Sequence, residues 1–178
     1  MASPSMRIFK AAADQLGEML KTHGFTYRKT QRRGWKDGRL FQHIVSINTS
    51  RSANSVPGIV QLDIRALAYS EAFGAFRRAS GISLPVNDSY LFATQIENIF
   101  KPAPPYIRYD IGNAATWQAI LEHVEQILVT QVFQAFELIE SPERLASFLE
   151  SKPMPCLDAH NAREDYFRFV SDGRTTEA

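Results

Sequence analysis

Four histidines, one cysteine and a dense run of cations are the side chains in this sequence with the most chemistry to offer. His23, His43, His123 and His160 do not fall into a His-Glu-x-x-His pattern, and a single thiol cannot complete a structural zinc set. That thiol, Cys156, follows Met154-Pro155 and has no cation beside it in sequence to hold a thiolate, so it reads as inert. There is no Gly-x-Ser-x-Gly, no Walker loop and no dinucleotide-binding glycine pattern. Glu122 and Glu125 lie three apart on one helix and can project together as a carboxylate pair, although they also flank its apolar stripe as solvated residues do. By strand parity His43 lies on an apolar face. A catalytic set would therefore have to assemble in three dimensions, from residues such as His43, Asp63, Arg65 and Tyr109. The expectation is a non-enzymatic protein with no cofactor and no metal.

Charge is the more informative signal. From Lys21 to Arg39 there are seven basic residues against Asp37 alone, with Trp35 among them. Such a patch can hold phosphates while the indole stacks on a base, or anchor an acidic protein surface through the residue types that dominate binding energy, or simply keep a solvated hairpin from aggregating. The residues expected to meet a partner are Arg32, Arg33, Trp35, Lys36 and Arg39. Between Glu122 and Glu150 six acids face Arg144 alone, so part of the basic patch has acids available within the fold. The net charge of +1 gives the whole molecule no electrostatic attraction to nucleic acid or membrane. A protein partner with an acidic surface is therefore expected ahead of nucleic acid.

The elements that position these residues can be read from periodicity. Ser3-Pro4 opens a helix carrying Phe9, Ala13, Leu16 and Leu20 at helical spacing, ended by Gly24, with Leu20 and Phe25 meeting across a Schellman turn. Strands follow at 25–33, 41–49 and 60–68. A two-residue Asp37-Gly38 turn would put Phe25 and Tyr27 on the face opposite Phe41, Val45 and Ile47, so the expected connection is a wider loop over 34–38 with Trp35 at its exposed tip. Ser50 to Gly58 reads as a polar turn. Ser70 caps a short helix through Phe73, Phe76 and Arg77, stopped by Gly81. Residues 91–100 fit either a helix, through Phe92, Ile96, Ile99 and Phe100, or a strand, through Tyr90, Phe92, Thr94 and Ile96, with strand preferred, and Tyr106–Ile111 reads as a short strand. Asn113 caps a long helix over 114–139, Ser141-Pro142 starts another, and Asp158 caps a last one with Ala162, Tyr166 and Phe169 on one face.

With 178 residues, 44% hydrophobic and 22% charged, the chain suits one α+β domain over 1–170 with a frayed tail at 171–178. One cysteine suits a reducing compartment, and neither a signal-peptide run nor a membrane-spanning run is present, so a cytoplasmic location is expected.

The pattern Phe9…Leu16…Leu20…Gly24-Phe25, Arg32-Arg33, the run Phe41 to Asn48, the run Val60 to Ile64, and Trp117 with its helices resembles an uncharacterised bacterial family described only as a domain of unknown function. The resemblance implies an antiparallel sheet flanked by helices and supplies no site residues. The architecture is also similar to that of small immunity proteins that neutralise bacterial toxins. The expected fold is thus α+β, an antiparallel sheet of four or five strands with helices mainly on one face, and the expected function is protein binding of an immunity-like kind. Alternatives are a nucleic-acid-binding module using the basic hairpin 28–39, or an enzyme whose site is not visible in sequence.

Overall fold

The computed structural model describes residues 4–49, 59–82, 87–101, 107–112 and 116–173. It is an antiparallel sheet with helices packed against it, as the periodicity predicts. Helix α1 (Pro4–Thr22) is followed by β1 (Thr26–Arg28), β2 (Arg33–Asp37), β3 (Gln42–Thr49) and β4 (Gln61–Tyr69). Then come α2 (Glu71–Ala79), β5 (Tyr90–Gln95) and the two-residue β6 (Tyr109–Asp110). The C-terminal part contains α3 (Trp117–Ile127), α4 (Phe133–Ile139), α5 (Pro142–Ser151) and α6 (Ala162–Ser171). Strands β1 to β5 lie side by side in chain order, and β6 pairs with the start of β4. The predicted long helix is one run, α3 and α4 joined by a wider π-helical turn at Leu128–Val132. Ser3, the 50–58 turn and the Asn113 cap lie outside the described residues.

The end of α1 is built as its sequence implies. Gly24 adopts φ +82, its amide donates to the carbonyl of Lys21, and the Phe25 amide donates back to that of Leu20, both within 3.1 Å. This is the Schellman closure. Gly24→Ala is expected to cost about 1–2 kcal/mol, because an L side chain disfavours this left-handed backbone; chemical denaturation measures it.

Strand β2 is the main departure from the sequence reading. Residues 34–38 are not a loop. Arg33–Asp37 form a strand between β1 and β3, and Trp35 is half-buried in mid-strand rather than at a tip. Two four-residue turns, 29–32 and 38–41, replace the single wide one. Each reverses the parity of pairing, so the two reversals cancel: Tyr27 aligns with Gly34, and Gly34 with Val45. Tyr27, Val45 and Ile47 thus share the covered face, the outcome that the parity argument demanded.

That face also carries Leu62, Ile64, Ala66, Ala68 and Phe92, all buried. α1 approaches β2 closely, with Leu20 over Gly34, while α4 lays Phe136 against His43 and Phe92. At one end Phe41, Phe73, Tyr166 and Phe169 pack ring on ring, joining α2 and α6 to the turn before β3. Ser70 and Ser141 cap α2 and α5 as predicted. The last helix differs: it starts at Ala162 after Asn161, which is left-handed and makes no side-chain cap, rather than from Asp158. The expected strand at 91–100 forms at 90–95 and then turns into a short 3-10 segment, Ile96–Asn98.

Candidate functional site: the second face of the sheet

Strand register places the remaining side chains on the second face, where burial is incomplete. In β4, Gln61, Arg65, Leu67 and Tyr69 are half-exposed while the residues between them, apart from Asp63, lie on the covered side. The cross-strand partners form three rows. One is apolar: Trp35, Ile44, Leu67 and Ala93 stand directly beside one another across β2 to β5. A second is basic and polar: Arg28, Arg33, Ser46, Arg65 and Gln95. The third is Asp37, Gln42, Tyr69 and Tyr90. A bulge at Leu91 brings Tyr90 opposite Tyr69, with their rings 5.4 Å apart.

Local contacts hold these rows in place. The Arg28 guanidinium lies 5.5 Å over the Trp35 ring, a cation–π geometry. Arg65 donates to Asp63 at 3.2 Å, and the Gln95 amide donates to Asp63 and to the Ile107 carbonyl. Gln42 donates to Asp37 at 2.9 Å. Ile44 is 4% exposed although it belongs to this face, because Trp35 and Leu67 flank it on both sides.

Of the five residues predicted to meet a partner, two belong here: Arg33 and Trp35. Arg32 has φ 51 and lays its guanidinium 4.7 Å over the Phe9 ring, against α1. Lys36 pairs with His43 on the covered side. Arg39 donates to the carbonyl of Glu140 at 2.9 Å. The rest of the cationic run is also spread out: Lys21 pairs with Glu18, and Lys29 with Asp14 and Glu18. The patch read from sequence is therefore several local pairings. The residues that sequence reading missed on this face, Arg28 as a partner of Trp35 together with Ile44, Leu67 and Tyr69, were legible as alternate positions of their strands.

The four residues considered for a catalytic set are not brought together. His43 lies on the covered face near the Ala68 end of β4, and Tyr109 pairs with Leu62 at the other end. Asp63 and Arg65 lie on the opposite face. The Tyr109 hydroxyl donates to Glu97, whose carboxyl is raised by burial against the pull of that hydrogen bond. His43 instead meets Glu140, with Nε2 2.7 Å from Oε1. Its ring stacks on Phe136 at 4.5 Å, beside a cavity of about 210 Å³ also lined by His23, Lys36 and Glu137. Glu140 accepts two further hydrogen bonds, from the backbone amides of Leu40 and Phe41. These three contacts go to the 38–41 turn and the strand after it, which makes the carboxylate a clamp between that turn and the end of α4. A Cβ on Gly38 would collide with Glu140 Oε1, so the turn closes this tightly only with glycine there.

Among the described residues no group of three or more His, Cys, Asp and Glu side chains could hold a metal ion, and no helix is long and apolar enough to cross a membrane. No family model, curated protein sequence or solved structure matches the chain, so the family resemblance rests on the residues quoted for it alone.

Proposed function

We propose that this chain is a non-enzymatic binding protein that docks a protein partner on the second face of its sheet. The observation that carries the reading is the aligned row Trp35–Ile44–Leu67–Ala93 with Arg28 and Arg33 beside its tryptophan end. Trp, Tyr and Arg are the residues that most often dominate interface energies, above all when they border apolar area that excludes water. The partner that fits presents an apolar ridge with carboxylates along one side. Protein is favoured over nucleic acid because three arginines on this face stand with two aspartates, Asp37 and Asp63, and Arg65 is already paired. Three of the four residues of the apolar row, Ile44, Leu67 and Ala93, are aliphatic, whereas base stacking calls for aromatic rings.

Occlusion of a toxin, as by an immunity protein, is the specific form we give this reading, supported by the α+β architecture and by the Trp35–Arg28–Arg33 cluster on the second face. The test is size-exclusion chromatography with the products of the adjacent genes. Co-elution that Trp35→Ala weakens by about 2 kcal/mol, roughly thirtyfold in Kd, is the expected result. Lys36→Ala, on the covered side, should leave the complex unchanged. Co-elution indifferent to Trp35→Ala, or none with either product, would count against the proposal. A gel shift that falls steeply with salt and depends on Arg33 and Trp35 would put nucleic acid in the partner's place.

A further inference from the structure

Strand β5 is an edge of the sheet, and a second site lies along it. The short 3-10 turns at Pro155–Leu157 and Ala159–Asn161 stand off from the strand and leave a cavity of about 350 Å³. That volume lies within the range of small-molecule sites. The floor is buried and mostly apolar, formed by Leu91, Phe92 and Cys156, while Ala93, Ala159 and His160 are exposed at its mouth.

Among the described residues, two polar groups set into this apolar wall lack partners. Arg77 lines the cavity and is 1% exposed. Its Nε donates to Asp165 at 2.9 Å, and its Nη1 donates to the carbonyls of Asp88 and Tyr90, but its Nη2 has no partner among the described residues. Asn98, also in the lining, has a buried Oδ1 with no partner among the described residues. A buried donor of a charged group left without an acceptor is costly, and native proteins seldom leave one without a use. The rim supports the same reading. His160 and Asn161 are consecutive non-glycine residues in the left-handed region, φ 54 and φ 57, and His160 lines the cavity. Held strain of this kind clusters at ligand sites.

We propose that this cavity binds a small organic monocarboxylate with an apolar body and one hydrogen-bond donor. The carboxylate accepts from Nη2 of Arg77, the donor meets Oδ1 of Asn98, and the body lies on Leu91 and Phe92. Guanidinium prefers a carboxylate to a neutral acceptor, since charge-assisted hydrogen bonds are about twice as strong. The cavity lies along the edge of β5 and shares Tyr90 and Ala93 with the second face, while Arg77, Asn98 and Cys156 belong to the cavity alone.

Isothermal titration calorimetry with a probe panel of hexanoate, 3-phenylpropionate, 3-phenyllactate and N-acetylphenylalanine tests it. At least one acid is expected to bind at millimolar concentration or better, with its primary amide weaker by about tenfold or more. Arg77→Gln should abolish binding. Because that change also strikes the Asp165 pair, Ala159→Trp serves as an independent block at the mouth and should abolish binding while the protein stays folded. Asn98→Leu should weaken 3-phenyllactate more than 3-phenylpropionate. No heat from any acid, equal binding of acid and amide, or binding that survives Ala159→Trp would overturn the proposal. Arg77, Asn98 and Ala159 are not residues of the docking face, so failure here leaves the Trp35 test standing.

Discussion

Asp165→Ala is expected to destabilise the protein by about 3–5 kcal/mol, the cost of leaving a buried charge without its counter-ion. Arg77 and Asp165 are 1% and 3% exposed, and their ion pair is 2.9 Å long. The guanidinium also lies 4.3 Å over the Phe73 ring, so its surroundings are apolar apart from the carbonyls of Asp88 and Tyr90. Burial alone pulls the Arg77 pKa down, and Asp165 opposes that pull. Removing the aspartate leaves desolvation opposed only by the charge of Asp88. Urea unfolding of the single and double variants separates the terms. Asp165→Ala with Arg77 kept should be the least stable, and Arg77→Met with Asp165→Leu should recover much of the loss, because buried ion pairs seldom outperform apolar replacements of similar volume. An Asp165→Ala protein within about 1 kcal/mol of the parent would show that water reaches this site freely.

Glu140→Ala is expected to cost about 2–4 kcal/mol, since the amides of Leu40 and Phe41 and the His43 ring lose their acceptor together. Burial pushes the Glu140 carboxyl up, but the hydrogen bonds from His43 and the two amides outweigh it and hold the carboxyl below its ordinary value of 4.5. A carboxylate with a depressed folded pKa binds fewer protons folded than unfolded. Its contribution is therefore complete above the unfolded value and is lost as pH falls through the folded one. The stability difference between the parent and Glu140→Gln should stay constant from pH 7 to about 5 and narrow below about 4.5. Thermal unfolding from pH 3 to 7 measures it, and a difference that persists at pH 3 would place the effect in packing instead. At the C-terminal end of α4 a carboxylate is unfavourable by itself. Arg39, donating to the Glu140 carbonyl, supplies the compensating cation.

These two residues also show where sequence reading runs out. Glu140 is one of six acids in its segment, and spacing alone cannot distinguish it from solvated neighbours such as Glu137, which is exposed. Asp165 did leave a signal. It lies three residues after Ala162 and four before Phe169, so an acid interrupts a buried stripe and calls for a cation opposite. Strand β2 was illegible for a different reason. Its covered side holds only Gly34 and Lys36, because Leu20 of α1 leaves no room above Gly34: a Cβ there would be 2.8 Å from Leu20 Cδ1. A strand whose buried side must be nearly bare shows no alternation of hydrophobic residues. By contrast β3, β4, α1 and the Ser70 and Ser141 caps were readable, because each combines a strong period with local turn or cap chemistry. The docking face was half legible. Trp35 and Arg33 stood out by type, whereas the row beside them exists only once the four strands β2 to β5 are in register.

The Arg77–Asp165 pair joins residues 88 apart in sequence. During synthesis at about 5–20 residues per second, the Arg77 side chain exists for several seconds before its counter-ion does. Strands β1 to β4 and helix α2 precede Ala79 and can pair in that interval, but Phe41, Phe73 and Phe76 stay uncovered until Tyr166 and Phe169 arrive. The nascent sheet therefore carries a solvated guanidinium amid its exposed rings, and that hydrated charge opposes premature collapse or self-association at the spot where α6 must later dock.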